Sequence, residues 1–210
     1  MKILNLYAGI GGNRKLWTDV EVTAIELNPQ IAKVYQDFFP KDKVIVADAH
    51  QYLLDHFKEF EFIWSSPPCP SHSGCNTFLH AQGIIRYPEM ELWQEIIFLK
   101  HWFRGKYCVE NVESYYMPFI KPFFNYERHY FWTNFIIYKK YTNKIKLGRM
   151  GKLKSGQRGD DRHKLKALGF DLSKYSGINK EHILRNCVNP ELGLHILNES
   201  KRDIQAELFR

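Results

Sequence analysis

The segment Lys-Ile-Leu-Asn-Leu-Tyr-Ala-Gly-Ile-Gly-Gly, residues 2–12, decides the fold of this 210-residue chain. Its first part, Lys2–Tyr7, is a short, mostly apolar run that predicts a buried strand. The glycines Gly9, Gly11 and Gly12 then allow a turn that brings the backbone close to a ligand, with free amides at the start of a helix. A dinucleotide-binding turn would carry a third glycine at position 14, where this chain has Arg14. The turn therefore argues against a nicotinamide dinucleotide.

Downstream of this turn, short apolar runs alternate with amphipathic helical patterns. Further strands are predicted over Val20–Ile25, Lys43–Val46, Phe60–Ser65, Tyr107–Val109 and Phe131–Tyr138. Helices are predicted over Pro29–Phe38, Ala49–Phe57, Pro88–Trp102, Arg162–Leu168 and Pro190–Phe209. Strands that alternate with helices imply an α/β fold with a mostly parallel, twisted sheet and helices on both faces. Ligands of such sheets bind beyond the carboxyl ends of the strands.

Acidic residues stand at the ends of the second and third predicted strands. Glu26 is placed to accept hydrogen bonds from both hydroxyls of a ribose, and Asp48 from an adenine amino group. Together with the glycine turn, these carboxylates indicate an adenosyl ligand. The alternative is that both carboxylates only cap the helices that follow them.

A cysteine lies among prolines directly after the fourth predicted strand, in Ser65-Ser66-Pro67-Pro68-Cys69-Pro70-Ser71. Three prolines in four residues hold the chain in a rigid, extended form. A cysteine is a strong nucleophile once it is deprotonated. A lone cysteine is more often a small buried hydrophobe, but this rigid setting at a strand end favours a nucleophile held for attack.

Five short segments resemble the motifs of a known enzyme family, and they occur in that family's order. They are Tyr7–Gly12, Pro67–Cys69, Glu110–Val112, Arg128 and Asn186–Pro190. The family is the DNA (cytosine-5) methyltransferases, and the resemblance extends over almost the whole chain. It implies a Rossmann-like class I S-adenosylmethionine-dependent methyltransferase that transfers a methyl group to carbon 5 of cytosine in DNA. It also implies a covalent adduct with a cytosine flipped out of the helix.

The resemblance assigns catalytic roles to three residues. Cys69 is the nucleophile that adds to carbon 6 of the base. Glu110, holding a proton, forms a hydrogen bond with N3, and Arg128 supplies positive charge near the base oxygen. Arg128 is the central residue of the family pattern Gln-x-Arg-x-Arg, and Tyr126 and Tyr130 stand at its outer positions.

The cofactor implied by the resemblance is S-adenosylmethionine, and its contacts come from the start and the end of the chain. The residues assigned to it are Tyr7, Ala8, Gly9, Gly11, Gly12, Glu26, Leu27, Asp48, Ala49, Pro68, Asn186 and Val188. Arg185 stands where the family pattern Gly-Asn-x-Val-x-Pro has its glycine. The histidines and cysteines lack the spacing of metal ligands, so no metal site is expected.

Positive charge is concentrated in one segment of the chain. The net charge is +7, yet eight Lys and Arg residues and no acid lie between Lys139 and Arg158, so the remainder sums to about −1. On charge alone this segment is either a solvated loop or a contact to phosphates. It stands where family members carry a target-recognition domain. We therefore predict a catalytic core over residues 1–138, a basic loop over 139–161, and a C-terminal part over 162–210 that returns to the core.

A chain with so short a recognition segment is similar to compact, phage-like members of the family, and low or short sequence specificity is expected of it. Three functions stay open: methylation of duplex or single-stranded DNA, methylation of RNA or a free nucleotide, and an inactive homologue that only binds DNA or cofactor. We expect a monomer, with an auxiliary partner as one route to specificity. The sequence contains no apolar run of membrane-spanning length and no signal peptide after Met1, which predicts a cytoplasmic protein without membrane contact.

Overall fold

The computed structural model describes residues 1–138, 141 and 168–202, and seven strands of this part of the chain form one sheet. The strands are β1 (Lys2–Leu6), β2 (Glu21–Ile25), β3 (Lys43–Ile45), β4 (Phe62–Ser65), β5 (Lys106–Val112), β6 (Phe124–Tyr126) and β7 (His129–Thr133). They are arranged in the order β3-β2-β1-β4-β5-β7-β6. The first five pair in parallel, and β7 lies antiparallel between β5 and β6.

Within the described residues, six α-helices connect and cover these strands. They are α1 (Pro29–Phe38), α2 (Ala49–His56), α3 (Asn76–Ala81), α4 (Glu91–Trp102), α5 (Lys180–Arg185) and α6 (Pro190–Ser200), with a 3₁₀ turn at Phe57–Glu59. Helices α1 and α6 begin in the same way: the side chains of Asn28 and Asn189 accept hydrogen bonds from amides of the first turn, and a proline follows each asparagine. Asparagine caps and a proline at the first helical position both favour helix initiation.

The hydrophobic core lies on both faces of the sheet. On one face, α2 and α4 bury Leu53 and Ile96 against strand residues such as Ile63. On the other face, α6 buries Ile196 against β1 and β4, and α1 packs Tyr35 onto β2. The predicted α/β fold, with a mostly parallel sheet and helices on both faces, is confirmed.

Three elements were not predicted from the sequence, and one predicted strand was placed too late. Strand β6 and helices α3 and α5 are short and lack a clear apolar period. The strand predicted at Phe131–Tyr138 instead runs from His129 to Thr133. It ends there because Asn134 takes over the pairing with its side chain, accepting from the Tyr107 amide at 3.0 Å and donating to the Gly105 carbonyl at 2.8 Å.

Arg14, which occupies the place of a third glycine, has a structural partner. Its guanidinium donates to both carboxylate oxygens of Asp42, at 2.8 and 2.9 Å, and Asp42 also accepts from the Tyr35 hydroxyl at 2.9 Å. Both partners of this ion pair are largely buried. The pair joins the glycine-rich turn to the end of α1, which accounts for an arginine at this position.

Several predictions concern residues outside the described part of the chain. The basic loop at 139–161 lies outside it except for Tyr141, and so does the predicted helix Arg162–Leu168 except for its last residue. The predicted C-terminal helix is seen as α6, which ends at Ser200. None of the described helices is long and apolar enough to cross a membrane.

Candidate active site

The glycine-rich turn after β1 has a backbone shape that leaves room for a ligand. Tyr7, Gly9 and Gly11 all have positive φ angles, of 53°, 55° and 81°. A side chain built on Gly9 would meet no atom within 4 Å, so the space above this residue is open. The Gly9 amide donates to a Glu26 carboxylate oxygen at 3.0 Å. The turn therefore offers an accessible backbone beside a carboxylate, as an adenosyl ligand requires.

Glu26, Leu27 and Asp48 lie at the carboxyl edge of the sheet. Their contacts show which of the two carboxylates caps the helix that follows it. Asn28, not Glu26, caps α1. Asp48 does cap α2, since its Oδ1 accepts from the Gln51 amide at 2.8 Å. The Leu27 side chain is 68% exposed. An exposed leucine next to Glu26 offers an apolar surface on which a flat ring such as adenine can rest.

The C-terminal segment at Asn186–Val188 returns to the glycine-rich turn, as the motif predicts. A methyl group on Gly12 would overlap the Cys187 sulfur and the backbone of Val188. Because Gly12 has no side chain, the glycine-rich turn and the segment Asn186–Val188 can approach each other closely. The candidate cofactor residues at the start and end of the chain are brought together by this contact.

Replacing Gly12 with alanine should therefore lower both the thermal stability of the protein and its affinity for the cofactor. The backbone at Val188 must move to accommodate the methyl group, and such overpacking typically costs about 1–3 kcal/mol. A calorimetric titration with S-adenosylhomocysteine and a thermal melt would measure the two effects. Gly74→Ala is the matched control, because the nearest atom to its added methyl is 4.0 Å away. Equal behaviour of the two variants would contradict the prediction.

The loop that carries Cys69 is held in place by hydrogen bonds to its own backbone. The Cys69 carbonyl accepts from the amides of His72 and Ser73, each at 3.0 Å. The side chain of Asn76 donates to the Pro70 carbonyl at 2.8 Å. These bonds form a tight turn directly after the cysteine, so the rigidity predicted from the prolines extends beyond them.

Asn111 joins this loop to the strand that carries Glu110. Its buried amide group donates to the Pro67 carbonyl at 3.0 Å. Because β4 and β5 are parallel neighbours with Ser65 opposite Val109, the loop of Cys69 begins beside Glu110 and Asn111, which are still part of β5. The sequence identifies Asn111 as part of a motif, and the structure shows that its side chain binds the Pro67 carbonyl.

The electrostatic surroundings of Cys69 link it to the other two predicted catalytic residues. Burial raises the pKa of the Cys69 thiol, the negative charge of Glu110 raises it further, and Arg128 lowers it. Glu110 and Arg128 are therefore both near enough to Cys69 to affect its ionisation. The structure brings the three predicted catalytic residues to one region.

A cavity of about 380 Å³ opens beside Glu110. Its described lining joins the hairpin of β6 and β7 to the C-terminal segment, and Cys69 is not part of that lining. The residues are Glu110, Tyr126, Glu127, Arg128, His129, Phe131, Leu168, Arg185, Asn186, Cys187, Val188, Asn189 and Leu192. The cavity therefore places Glu110 and Arg128 opposite two of the residues predicted to bind the cofactor.

His129 faces Glu110, and no sequence motif marks it. Its Nε2 lies 3.5 Å from a Glu110 carboxylate oxygen. In the antiparallel pairing, Phe131 is opposite Glu110 and His129 is opposite Val112, so these four residues share one face of the sheet. Tyr130 is opposite Asn111 and points to the other face, where its ring contacts Trp132. With the correct bounds of β7, the alternation of side chains along the strand predicts that His129 lies on the same face of the sheet as Glu110.

Among the described residues, no three histidine, cysteine or acidic side chains are grouped so as to hold a metal ion. The four cysteines are free thiols.

Comparison with known proteins gives one family match. The family model for C-5 cytosine-specific DNA methylase matches residues 1–113, which is more than half of the chain. The matched range includes the glycine-rich turn, the loop of Cys69 and the strand of Glu110. No curated protein sequence matches the chain significantly.

Solved structures give only partial likenesses. EhMeth, a methyltransferase of Entamoeba histolytica, is 15% identical with a TM-score of 0.37, over 53% of this chain and 38% of that protein. DNMT2 of Spodoptera frugiperda is 26% identical with a TM-score of 0.37, over 53% of this chain and 35% of that protein. TrmN of Thermus thermophilus is 16% identical with a TM-score of 0.36, over 53% and 33%. This chain thus spans about a third of the length of each of these proteins.

Proposed function

The chain belongs to the C-5 cytosine-specific DNA methylase family, and from this premise we propose that it transfers a methyl group from S-adenosylmethionine to carbon 5 of cytosine in DNA. The reaction proceeds through a covalent adduct between Cys69 and a base flipped out of its stack. A base inside the stack does not expose carbon 6 to the Cys69 thiol, so flipping is part of the proposal.

One observation carries this proposal beyond family membership. The Asn111 amide holds the Pro67 carbonyl at 3.0 Å, so the loop of the nucleophile and the strand of the acid form one connected unit. Glu110 and Arg128 both act on the ionisation of Cys69. A thiol, a carboxyl group and a guanidinium in one region are the groups that addition to a pyrimidine ring needs.

The residues around the glycine-rich turn fit S-adenosylmethionine. The open space above Gly9, the Glu26 carboxylate and the exposed Leu27 side chain would hold its amino acid part, ribose and adenine. Asn186 and Val188 would close the site from the C-terminal side. When bound there, the cofactor supplies an electrophilic methyl group.

The protein residues then carry the remaining chemistry. The Cys69 thiolate forms a bond to carbon 6, and the electrons displaced from the 5,6 double bond are drawn toward N3, which receives a proton from Glu110. Arg128 stabilises the negative charge that develops on the base. After carbon 5 has gained the methyl group it loses its proton to solvent water, and the electrons of that bond re-form the 5,6 double bond. The bond to Cys69 breaks with its electron pair leaving on sulfur, and Glu110 regains its proton from N3.

The test is to offer four methyl acceptors in parallel: duplex DNA, single-stranded DNA, RNA and dCTP. With methyl-labelled S-adenosylmethionine, we expect label at carbon 5 of cytosine in DNA and none in RNA or dCTP. DNA whose cytosines are already methylated at carbon 5 is the matched control. If only RNA or dCTP became labelled, that acceptor would be the substrate instead of DNA. Cofactor binding without any methyl transfer would indicate an inactive homologue.

A further inference from the structure

Glu95 is a carboxylate in the apolar face of α4, and nothing in the proposed chemistry uses it. It is 0% exposed and lies between Leu92 and Leu99, which belong to the core on that face of the sheet. A buried carboxylate is strongly unfavourable unless hydrogen-bond donors surround it. An apolar side chain at such a place often gives equal or greater stability. The presence of Glu95 therefore calls for a reason other than packing.

Three donors surround this carboxylate. The Tyr7 hydroxyl donates to one oxygen at 2.6 Å, and His50 Nδ1 lies 3.2 Å from the same oxygen. The Ser65 hydroxyl donates to the other oxygen at 2.6 Å. Both oxygens are thus engaged, and the partners are 88, 45 and 30 residues away in sequence. Such charge-assisted bonds are the stronger kind and fix geometry as well.

The electrostatics keep these partners in their donor forms. Burial raises the pKa of the Tyr7 hydroxyl, and the charge of Glu95 raises it further. The hydrogen bond to Glu95 raises the pKa of His50 against the opposing effect of burial, with Glu91 and Asp48 adding to the rise. The tyrosine therefore stays protonated, and the histidine is favoured in its charged form.

The three partners lie at or next to three different connections of one site. Tyr7 follows β1 and opens the glycine-rich turn with a φ of 53°. His50 lies in the first turn of α2, two residues after Asp48. Ser65 is the last residue of β4, and the loop of Cys69 begins after it. One carboxylate thus bridges the loops beyond β1, β3 and β4.

We propose that Glu95 is a positioning residue for the cofactor pocket, holding the glycine-rich turn, the start of α2 and the Cys69 loop at fixed distances from one another. The inference rests on the proposed function, because it assigns the pocket between these loops to S-adenosylmethionine. Glu95 acts through its partners and, being wholly buried, does not contact the cofactor.

The test compares two replacements of Glu95 by calorimetric titration with S-adenosylhomocysteine. Glu95→Gln keeps the shape and two hydrogen-bonding atoms, and should lower affinity about tenfold. Glu95→Leu removes every hydrogen bond to the three loops, and should lower affinity about a hundredfold. Partial rescue by glutamine is the signature of positioning, because a packing role would favour leucine over glutamine.

Glu199→Gln is the matched control. Glu199 is also a buried carboxylate, but it accepts from the Tyr138 amide at 2.7 Å and pairs with Arg202, neither of which is a candidate cofactor residue. This variant should lose thermal stability and keep the affinity of the wild-type protein. Should Glu95→Leu fail to fold, Ser65→Ala removes a single bond to Glu95 from a residue that is itself 0% exposed, and a few-fold loss is expected.

The outcomes distinguish a failure of the role of Glu95 from a failure of the proposed function. A wild-type protein that does not bind S-adenosylhomocysteine contradicts the proposed function. A wild-type protein that binds, together with folded Glu95 variants that bind equally well, overturns the inference alone. Equal losses of affinity in Glu95→Leu, Glu95→Gln and Glu199→Gln would also overturn it, because they would reflect general loosening of the fold.

Discussion

The Cys69→Ser variant should form no covalent complex with DNA that contains 5-fluorocytosine. In the proposed reaction the bond between sulfur and carbon 6 breaks only when carbon 5 loses its proton. Fluorine at carbon 5 prevents this loss, so the wild-type protein with S-adenosylmethionine should remain attached to the DNA under denaturing electrophoresis. A serine hydroxyl is far less readily ionised than a thiol and is a poor nucleophile without an activating base. The expected change is from a visible complex to none.

The structure supplies an internal control for this experiment. Cys75 is the exposed cysteine six residues further along the same loop region, and Cys75→Ser should trap DNA as the wild-type protein does. Binding of S-adenosylhomocysteine to Cys69→Ser would show that the site is intact. A complex that persists in Cys69→Ser, or one that requires Cys75, would contradict the assignment of the nucleophile.

The glycine-rich turn and its neighbours could be predicted because they follow from local chemistry. An apolar run followed by Gly9, Gly11 and Gly12 allows few structures, and the positive φ angles at Gly9 and Gly11 favour glycine. Glu26 was correctly placed beside this turn because parallel strands end at one edge of the sheet. Each of these inferences needs only a few consecutive residues and one rule of sheet topology.

The contacts that the sequence did not reveal depend on partners far away in the chain. Glu95 interrupts an apolar helical pattern, and only the fold shows that Tyr7, His50 and Ser65 converge on it. His129 was missed for a different reason, since its role depends on the register of β7.

The register of β7 is set by a hairpin turn that the sequence signals poorly. The turn includes Glu127 at a φ of 53°, an unusual conformation for a residue with a side chain. The segment before the hairpin contains Pro118 and Pro122, and prolines disfavour a strand, so the sequence does not predict β6 or the hairpin. Without the hairpin, the alternation of β7 cannot be read, and His129 and Tyr130 cannot be assigned to opposite faces of the sheet.

Replacing Glu110 with glutamine should slow methyl transfer and accelerate alkylation of Cys69. A glutamine amide can donate a hydrogen bond to N3 but no proton, and the loss of proton transfer typically lowers rates by about 10²- to 10⁴-fold. The thiol responds in the opposite direction. The Glu110 carboxylate is one cause of the raised pKa of Cys69, so its removal favours the thiolate at a given pH. Reaction of Cys69 with iodoacetamide should therefore become a few-fold faster.

The opposite signs of these two effects distinguish a role in catalysis from general damage to the site. Arg128→Ala should slow alkylation of Cys69, because this arginine lowers the pKa of the thiol. Glu113→Gln, an exposed change three residues from Glu110, should alter neither rate. Peptide mass spectrometry resolves Cys69 from Cys75, which serves as a reference in every sample.

Slower or unchanged alkylation of Cys69 in Glu110→Gln would show that the carboxylate does not raise the pKa of the thiol. It would contradict the proposal that both groups act on one base. Faster alkylation together with lost methyl transfer has a specific meaning. It would show that one carboxylate both raises the pKa of the Cys69 thiol and is needed for the reaction of the base.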